Sequence, residues 1–433
     1  MRLKRWLAVK ITAAHTAVVE GNYDWTFVRI DTDTDGLSGL GECYTAPGLT
    51  GIVRDLAPLL VGEDPRDVDR LWSKLRWGAS GAGSPAGIVY NAISGMEAAL
   101  WDLVGRAYGV PIHALLGGRF RDSVRMYADC HAGEALESMD ATMVARPARW
   151  AQEPPEAIKA GSIRAPEHGR AYAATAPDEL FTPELYAQRA REVVAELGFS
   201  ALKFDLDVPT EYMQDTASGT LSRAEVGAMV ELANAVIDAV GPTVDVAFDC
   251  HWRYQVADAQ RLAHELEPLG LLWLEDPVPP ENVAALRRVT TSTSTPIATG
   301  ENGYLRHGFR EAFESGAIDI AAPDLQKTGG LLEARRIADY ADTHYISVAP
   351  HCIASPIGTV AAVHVAAAVP NFLALEWHGM SVPFWNDLAA GWDGGQVIEG
   401  GRIRVPDRPG LGVELDLDVA REYARDGEPF FDE

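Results

Sequence analysis

The chain has 433 residues, too many for one small domain and enough for a barrel of about 250 residues plus a second unit. An apolar fraction of 47% provides for a large core, and no run of 18 apolar residues offers a membrane span. The net charge of −25, from 37 basic and 62 acidic residues, excludes nucleic acid and an anionic membrane surface as partners, because both demand a basic footprint.

The opening MRLKRWLAVKITAAHT carries basic residues but no apolar core or cleavage site, so no signal peptide is expected. Cys43, Cys130, Cys250 and Cys352 show no paired spacing and read as reduced thiols of a cytoplasmic protein. Residues 1–43 alternate like antiparallel strands, and TFVRIDTDTDGLSGLGECY (26–44) carries a hairpin signal. Helical spacing follows over 51–75, where Asp64-Pro65 opens a new helix. The Gly- and Ser-rich stretch 77–87 reads as a loop. A long helix begins at Ile88, with Ile93, Met96, Leu100 and Leu103 on one stripe, and stops at Gly109 and Pro111. Residues 1–122 therefore read as an α+β cap domain.

Barrel strands are expected at SVRMYADC (123–130) and SALKFDLD (200–207), separated by a polar, Pro-bearing insertion (131–182) of the length that lids and binding loops take. Six more follow at 244–252, 271–277, 296–302, 318–326, 345–352 and 372–378. Each apolar run stops on an ionisable residue: Asp249, Glu275, Glu301, Asp324, His351 and Glu376, at spacings of 26, 26, 23, 27 and 25 residues. That interval fits one strand, one helix and two short loops, and a polar residue at each strand's C-terminal end is how a (β/α)8 barrel builds its site. The barrel is placed at 123–380. The tail, 381–433, contains an apparent hairpin at 396–406 and is expected to return to the cap. The fold class is α/β, a modified TIM barrel of (β/α)7β type with an α+β cap.

Asp249, Glu275 and Glu301 at successive strand ends put three anions in one pocket, which demands proton uptake or a bound cation. Oxygen ligands without sulfur select a hard ion, Mg2+ or Mn2+. One such acid alone is better explained by a helix cap or an Arg/Lys partner; three in register reverse that. Adjacent strand ends allow an Asp324–His351 hydrogen bond, which fixes the tautomer and raises the basicity of the imidazole. Lys203 and Asp205 are two apart on one face, where a buried lysine beside a divalent cation has its pKa lowered; mutual neutralisation is the structural alternative. His251 shares the face of Asp249, close to the ion. A hard cation with bases on both sides suits removal of the weakly acidic proton alpha to a carboxylate.

These residues, with FVRIDTDTDGLSGLGE, GMEAALWDLVGRAYGVPIHALLGG (95–118), APDLQKTGG (322–330) and PGLGVELD (409–416), resemble the enolase superfamily, specifically the mandelate racemase subgroup and its acid-sugar dehydratases. The resemblance spans nearly the whole chain. It implies one Mg2+ per subunit on Asp249, Glu275 and Glu301, an Asp324–His351 general-base dyad, and Glu376 hydrogen-bonded to the substrate carboxylate. The racemases carry Lys-x-Lys on strand two; here Lys203-Phe204-Asp205 argues against a two-base racemase and leaves Lys203 to hold the carboxylate. Asp249-Cys250-His251 resembles sugar-acid dehydratases that pair a strand-three His with the dyad His, and on that resemblance His351 is expected to remove the C2 proton and His251 to protonate the departing 3-hydroxyl. The expected activity is that of a hydro-lyase, taking a small anionic sugar acid through an enediolate to a 2-keto-3-deoxy acid. A cycloisomerase or epimerase using the same enediolate is the alternative, and a non-catalytic sugar-acid binding protein a second. Specificity is expected in the cap loop at Tyr44–Thr50, with Tyr44 against the substrate, in 77–87, and in the insertion, where His131, Arg146, Arg149, Arg164 and His168 are candidates for a second carboxylate. A homo-oligomer is expected.

Overall fold

The structure, a computed structural model, describes residues 9–82, 86–130, 139–140, 148–150, 170–171, 181–208, 210, 212 and 218–431. Strands β1 (Ile11–Glu20), β2 (Asp24–Thr32) and β3 (Ser38–Cys43) form an antiparallel meander in that order. β2 is buried on both faces, which explains its unbroken TFVRI run: Val28 and Ile30 join the core of the cap helices, Trp25 and Phe27 the core shared with the barrel. Helices α1 (Leu49–Leu56), α2 (Val68–Gly78) and α3 (Ile88–Tyr108) cover the sheet. α3 lies directly on β3 because the contact is made of glycine; a Cβ on Gly41 would stand 2.6 Å from the Ala99 nitrogen. Gly109, at φ 72°, ends α3 in the left-handed conformation. Asp64-Pro65 does not open α2, which starts at Val68; Asp64 instead pairs with Arg66, its Oδ1 2.8 Å from Arg66 Nε.

Eight parallel strands make the barrel: Ser123–Cys130, Ala201–Asp205, Asp245–Asp249, Leu274–Glu275, Ile297–Thr299, Ile320–Ala321, Ser347–Val348 and Leu375–Trp377. The eighth pairs with the first, and a Val348–Phe372 bridge joins the seventh strand to the lead-in of the eighth, closing the ring. Seven helices connect them: Pro183–Leu197, Arg223–Val240, Val256–Leu266, Val283–Thr290, Leu305–Ser315, Leu331–Asp342 and Pro356–Ala368. The (β/α)7β barrel with its cap, expected from the sequence, is the observed architecture.

One residue from each strand, or from the position next to it, builds the barrel floor: Tyr127, Ala201, Ala247, Trp273, Ala298, Ile320, Ala349 and Ala374. The Tyr127 and Trp273 rings meet edge to face at 5.1 Å and fill a space otherwise lined mainly by alanines. Two residues further along six of these chains, hence on the same inward face, stand Asp129, Lys203, Asp249, Glu275, His351 and Glu376. The period of the strand thus lays a charged layer directly on an apolar one.

Two cap carboxylates grip the barrel. Glu42 of β3 accepts from the backbone N–H of Ser355 (3.0 Å) and Gly358 (2.9 Å) and from the Ser355 hydroxyl, at the start of helix Pro356–Ala368. Glu97 of α3 accepts from the N–H of Leu331 (2.8 Å) and Leu332 (3.1 Å), at the start of helix Leu331–Asp342. Both satisfy orphan helix donors, while burial raises both carboxyls above the ordinary range, Glu97 to about 7.

The tail serves both ends. The turn at 399–402 forms, but its outer strand, Arg402–Arg404, pairs antiparallel with Ser123–Arg125 of the first barrel strand instead of closing a free-standing hairpin. Residues 425–431 then run along β1, through Arg425 N–H to Val18 O (2.9 Å) and Val18 N–H to Pro429 O (3.2 Å). In the insertion, His131, Arg146, Arg164 and His168 lie outside the described residues. Arg149 does not face the barrel mouth: Glu20 and Asp426 of the cap and tail take up its guanidinium. Among the described residues no helix is long and apolar enough to cross a membrane. All four cysteines are buried and free, and burial raises the pKa of each thiol, against a nucleophilic role.

Candidate active site

Asp249, Glu275 and Glu301 each direct a carboxylate oxygen to within 4.8 Å of the others. Asp249 and Glu275 are wholly buried and Glu301 is 7% exposed. Burial, then repulsion from Asp249, Glu376 and Glu301, pushes the Glu275 carboxyl up to about 8 against the pull of Lys203. Its Oε2 accepts from Trp273 Nε1 (2.9 Å), while its Oε1 is buried with no hydrogen-bond partner. An orphan carboxylate oxygen aimed into a cluster of its own sign is what a hard cation satisfies, so the residues fit a divalent ion with all-oxygen ligands.

His351 and Asp324 are brought together as a pair, Nδ1 to Oδ2 at 2.7 Å. Nε2 then faces Glu301 Oε2 (3.3 Å) and Glu376 Oε2 (3.7 Å). Burial disfavours the imidazolium, but Glu301, Glu376 and Asp324 outweigh it and raise His351 to about 9. Glu376 Oε2 also accepts from the Cys352 N–H at 2.8 Å.

On the opposite side of the ring, His251 follows strand three. His251 and Trp252 have φ values of 42° and 60°, left-handed backbone that costs non-glycine residues about 1–2 kcal/mol each. The turn is held by His251 N–H to Asp249 Oδ1 (2.8 Å) and Trp252 N–H to Asp276 O (2.6 Å). His251 Nδ1 lies 2.8 Å from Asp207 Oδ1, and Nε2 lies 3.4 Å from Asp249 Oδ2 and 3.7 Å from Asp205 Oδ1.

Lys203 lies among three carboxylates: Nζ is 2.7 Å from Glu376 Oε1 and 3.2 Å from both Asp249 Oδ2 and Glu275 Oε2. Burial opposes the charge, yet Glu275 and Glu376 hold its pKa well above the ordinary lysine value. It is an internal counter-ion to a cluster that remains strongly negative. Asp205, beside it, is buried, and its backbone carbonyl accepts from Tyr186 Oη at 3.0 Å.

A cavity of about 1240 Å3 opens between the barrel mouth and the cap, lined by Tyr23 and Tyr44 from the cap and by Asp207, His251, Glu301 and Asn302 from the barrel. Lys203, Asp249, Glu275, Asp324, His351 and Glu376 are not part of its wall. Tyr44 lies 6.1 Å from His351, centroid to centroid, and Lys327 Nζ stands 4.0 Å from the centroid of the Tyr44 ring.

Sequence reasoning passed over three groups. Asp207 continues the period-two series Lys203, Asp205, Asp207, a signal that was available. Lys327 bonds Asn302 Oδ1 at 3.0 Å and stands 3.9 Å from Glu301. His378, two beyond Glu376, meets Asp129 (3.3 Å) and Asn22 (2.8 Å), partners no local pattern predicts.

Residues 5–117 match the N-terminal domain of the mandelate racemase / muconate lactonizing enzyme family, and residues 185–419 match the enolase C-terminal domain-like family. The chain belongs to the mandelate racemase subgroup of the enolase superfamily. The family expected from the motifs is therefore borne out. Among similar proteins, the D-xylonate dehydratase of Haloferax volcanii is 43% identical over 424 residues, covering 98% of this chain and 91% of that one. The D-galactonate dehydratase of Ralstonia nicotianae is 31% identical over 409 residues, covering 93% and 91%. A solved mandelate racemase/muconate lactonizing enzyme-like protein from Rubrobacter xylanophilus superposes with a TM-score of 0.86 at 44% identity, covering 98% of this chain and all of that one.

Proposed function

We propose that this chain is a Mg2+-dependent sugar-acid dehydratase that removes the proton alpha to the carboxylate and expels the 3-hydroxyl, giving a 2-keto-3-deoxy sugar acid. The enzyme is a hydro-lyase. The observation that carries the reading is that two histidines border the three-carboxylate cluster, His351 Nε2 3.3 Å from Glu301 and His251 Nε2 3.4 Å from Asp249, each backed by its own carboxylate, His351 by Asp324 and His251 by Asp207. Full-length identity to a D-xylonate dehydratase supports it and makes an aldonate the first substrate to try.

Asp249, Glu275 and Glu301 would hold the ion, which supplies a Lewis acid for the negative charge that develops on the substrate carboxylate. His351, its Nδ1 anchored on Asp324, takes the C2 proton at Nε2. Glu376, beside it, faces the carboxylate end of the substrate. The electron pair of the C2–H bond becomes the C2=C3 bond as the C3–O bond breaks. His251 gives a proton to the departing hydroxyl, which leaves as water, and the enol ketonises. Asp205 occupies the place of a second lysine base and is a weak base for a C2 proton, which disfavours racemisation.

Incubation of D-xylonate and D-galactonate with enzyme and Mg2+ should yield a 2-keto acid detectable with semicarbazide. His251→Asn should keep exchange of the C2 proton with D2O and lose dehydration. Turnover of an aldonate panel without any 2-keto acid would reject the reading.

A further inference from the structure

Asp207 is not a ligand or a base in the scheme above, yet its geometry is that of a working part. It lies two residues beyond the second barrel strand, is 4% exposed, and shares the cavity wall with His251. The His251 ring stands among three carboxylates, and of these contacts the one to Asp207 is the hydrogen bond, at 2.8 Å against 3.4 and 3.7 Å. Charge alone does not orient an imidazole among three anions, since a half-turn about Cβ–Cγ keeps it attracted to all of them. A hydrogen bond to Nδ1 does orient it, because the half-turn puts a carbon in place of that nitrogen.

The backbone leads to the same contact. The left-handed turn at His251 and Trp252 swings the imidazole toward strand two, and Leu206 N–H bonds Asp249 O at 2.8 Å, tying the loop of Asp207 to the strand that carries His251. Strain of this kind persists where surrounding contacts over-determine it. On the far side of the ring the same device recurs, with Asp324 on Nδ1 of His351.

We propose that Asp207 is the positioning residue of the dehydration step: it accepts the Nδ1–H of His251 and holds Nε2 toward the 3-hydroxyl that leaves, and it takes no part in removing the C2 proton. The inference rests on His251 being the acid. The enzyme then contains two separately oriented imidazoles, so proton removal and water loss can be uncoupled by substitution. Asp207 lies near enough to His251 and Asp205 to be mistaken for part of an ion site, and the test includes that outcome.

Asp207→Ala, Asp207→Asn and His251→Asn are compared with the wild type on D-xylonate in Mg2+, following deuterium wash-in at C2 by NMR, 2-keto acid formation, and Mg2+ affinity by calorimetry. Asp207→Ala should slow dehydration by about 100-fold, within the range a general acid contributes, with wash-in and Mg2+ affinity within about twofold of wild type. Asp207→Asn, whose amide oxygen still accepts from Nδ1–H, should be rescued to within about tenfold. If wash-in and dehydration fall together in Asp207→Ala, or Mg2+ affinity falls with them, the inference is overturned. If His251→Asn loses dehydration while Asp207→Ala does not, only the role of Asp207 fails. If His251→Asn still dehydrates, the reading of His251 fails first and this inference with it.

Discussion

Binding of Mg2+ should expel a proton from Glu275, and Glu275→Gln should abolish that release. With its carboxyl pushed up to about 8, chiefly by burial, Glu275 carries its proton in roughly nine molecules of ten at pH 7 before an ion arrives. An ion that needs the carboxylate must displace that proton, so affinity should rise close to tenfold per pH unit from about 6 to 8, each unit worth about 1.4 kcal/mol, and level off above. Calorimetry in two buffers of different ionisation enthalpy counts the release directly, and about 0.9 proton per ion is expected at pH 7. Glu275→Gln has no proton to give and lacks a ligand, so its affinity should drop by at least the roughly 10–100-fold that loss of a supporting residue costs. A thermal readout follows from chain size. Mg2+ at a hundred times its Kd stabilises by about 2.7 kcal/mol, and an unfolding entropy of about 2.1 cal/mol/K per residue over 433 residues turns that into a Tm rise of about 3 °C. The variant should show no such rise. Affinity that is flat between pH 6 and 8, or a variant that keeps the rise, would refute the placement of the ion.

His364 is stacked on His113, with its Nε2 2.9 Å from the Leu411 carbonyl, and burial, reinforced by His113, pushes its pKa down to about 4. The unfolded chain takes up this proton near pH 6.5 and the folded chain only near 4, so stability is complete above 6.5 and falls as pH drops through that window, by about 3 kcal/mol at pH 4. Urea melts of wild type and His364→Gln at pH 7 and 4.5 check this; an equal loss in both would contradict it. Gly358→Ala would set a Cβ 2.7 Å from that of Ala354 and 2.9 Å from Glu42 Oε2, with Gln326 Nε2 closer still, and should cost about 1–3 kcal/mol of stability in thermal melts. Glu42→Ala strands the Ser355 and Gly358 N–H groups, and should cost about 2–4 kcal/mol and lower kcat, because that helix starts a few residues beyond His351; an unchanged kcat would show that the dyad does not depend on it.

The ring of polar strand ends was legible because two periods coincide in the sequence: about 25 residues from strand to strand, and two residues from floor to charged layer. Ala247 and Asp249, or Trp273 and Glu275, are each readable as a pair without knowing the partner strands. The partners of Lys203 were not legible because they come from strands three, four and eight at once, and only closure of the ring shows three carboxylates about one ammonium. The start of α2 was misplaced because a local Asp–Pro signal ignored Arg66, which takes the carboxylate away from the helix. The hairpin at 396–406 was half right: its Gly400-Gly401 turn is local, whereas pairing of Arg402–Arg404 with a strand some 280 residues earlier leaves no trace in nearby sequence. Asp207 escaped notice since its meaning depends on a left-handed turn at the end of the neighbouring strand.

Glu42 and Glu97 limit how this enzyme can breathe. Lifting the cap as a lid would pull two buried carboxyl groups off five backbone or hydroxyl donors, at a cost of roughly 0.5–1.5 kcal/mol for each bond. It would also expose the frayed starts of the two helices that follow Asp324 and His351, loosening the base just when substrate arrives. Cap and barrel therefore travel as one piece through the catalytic cycle. Admission and release fall to short segments around the cavity rim, and a covalent staple between β3 and the helix beginning at Pro356 would leave the turnover rate intact.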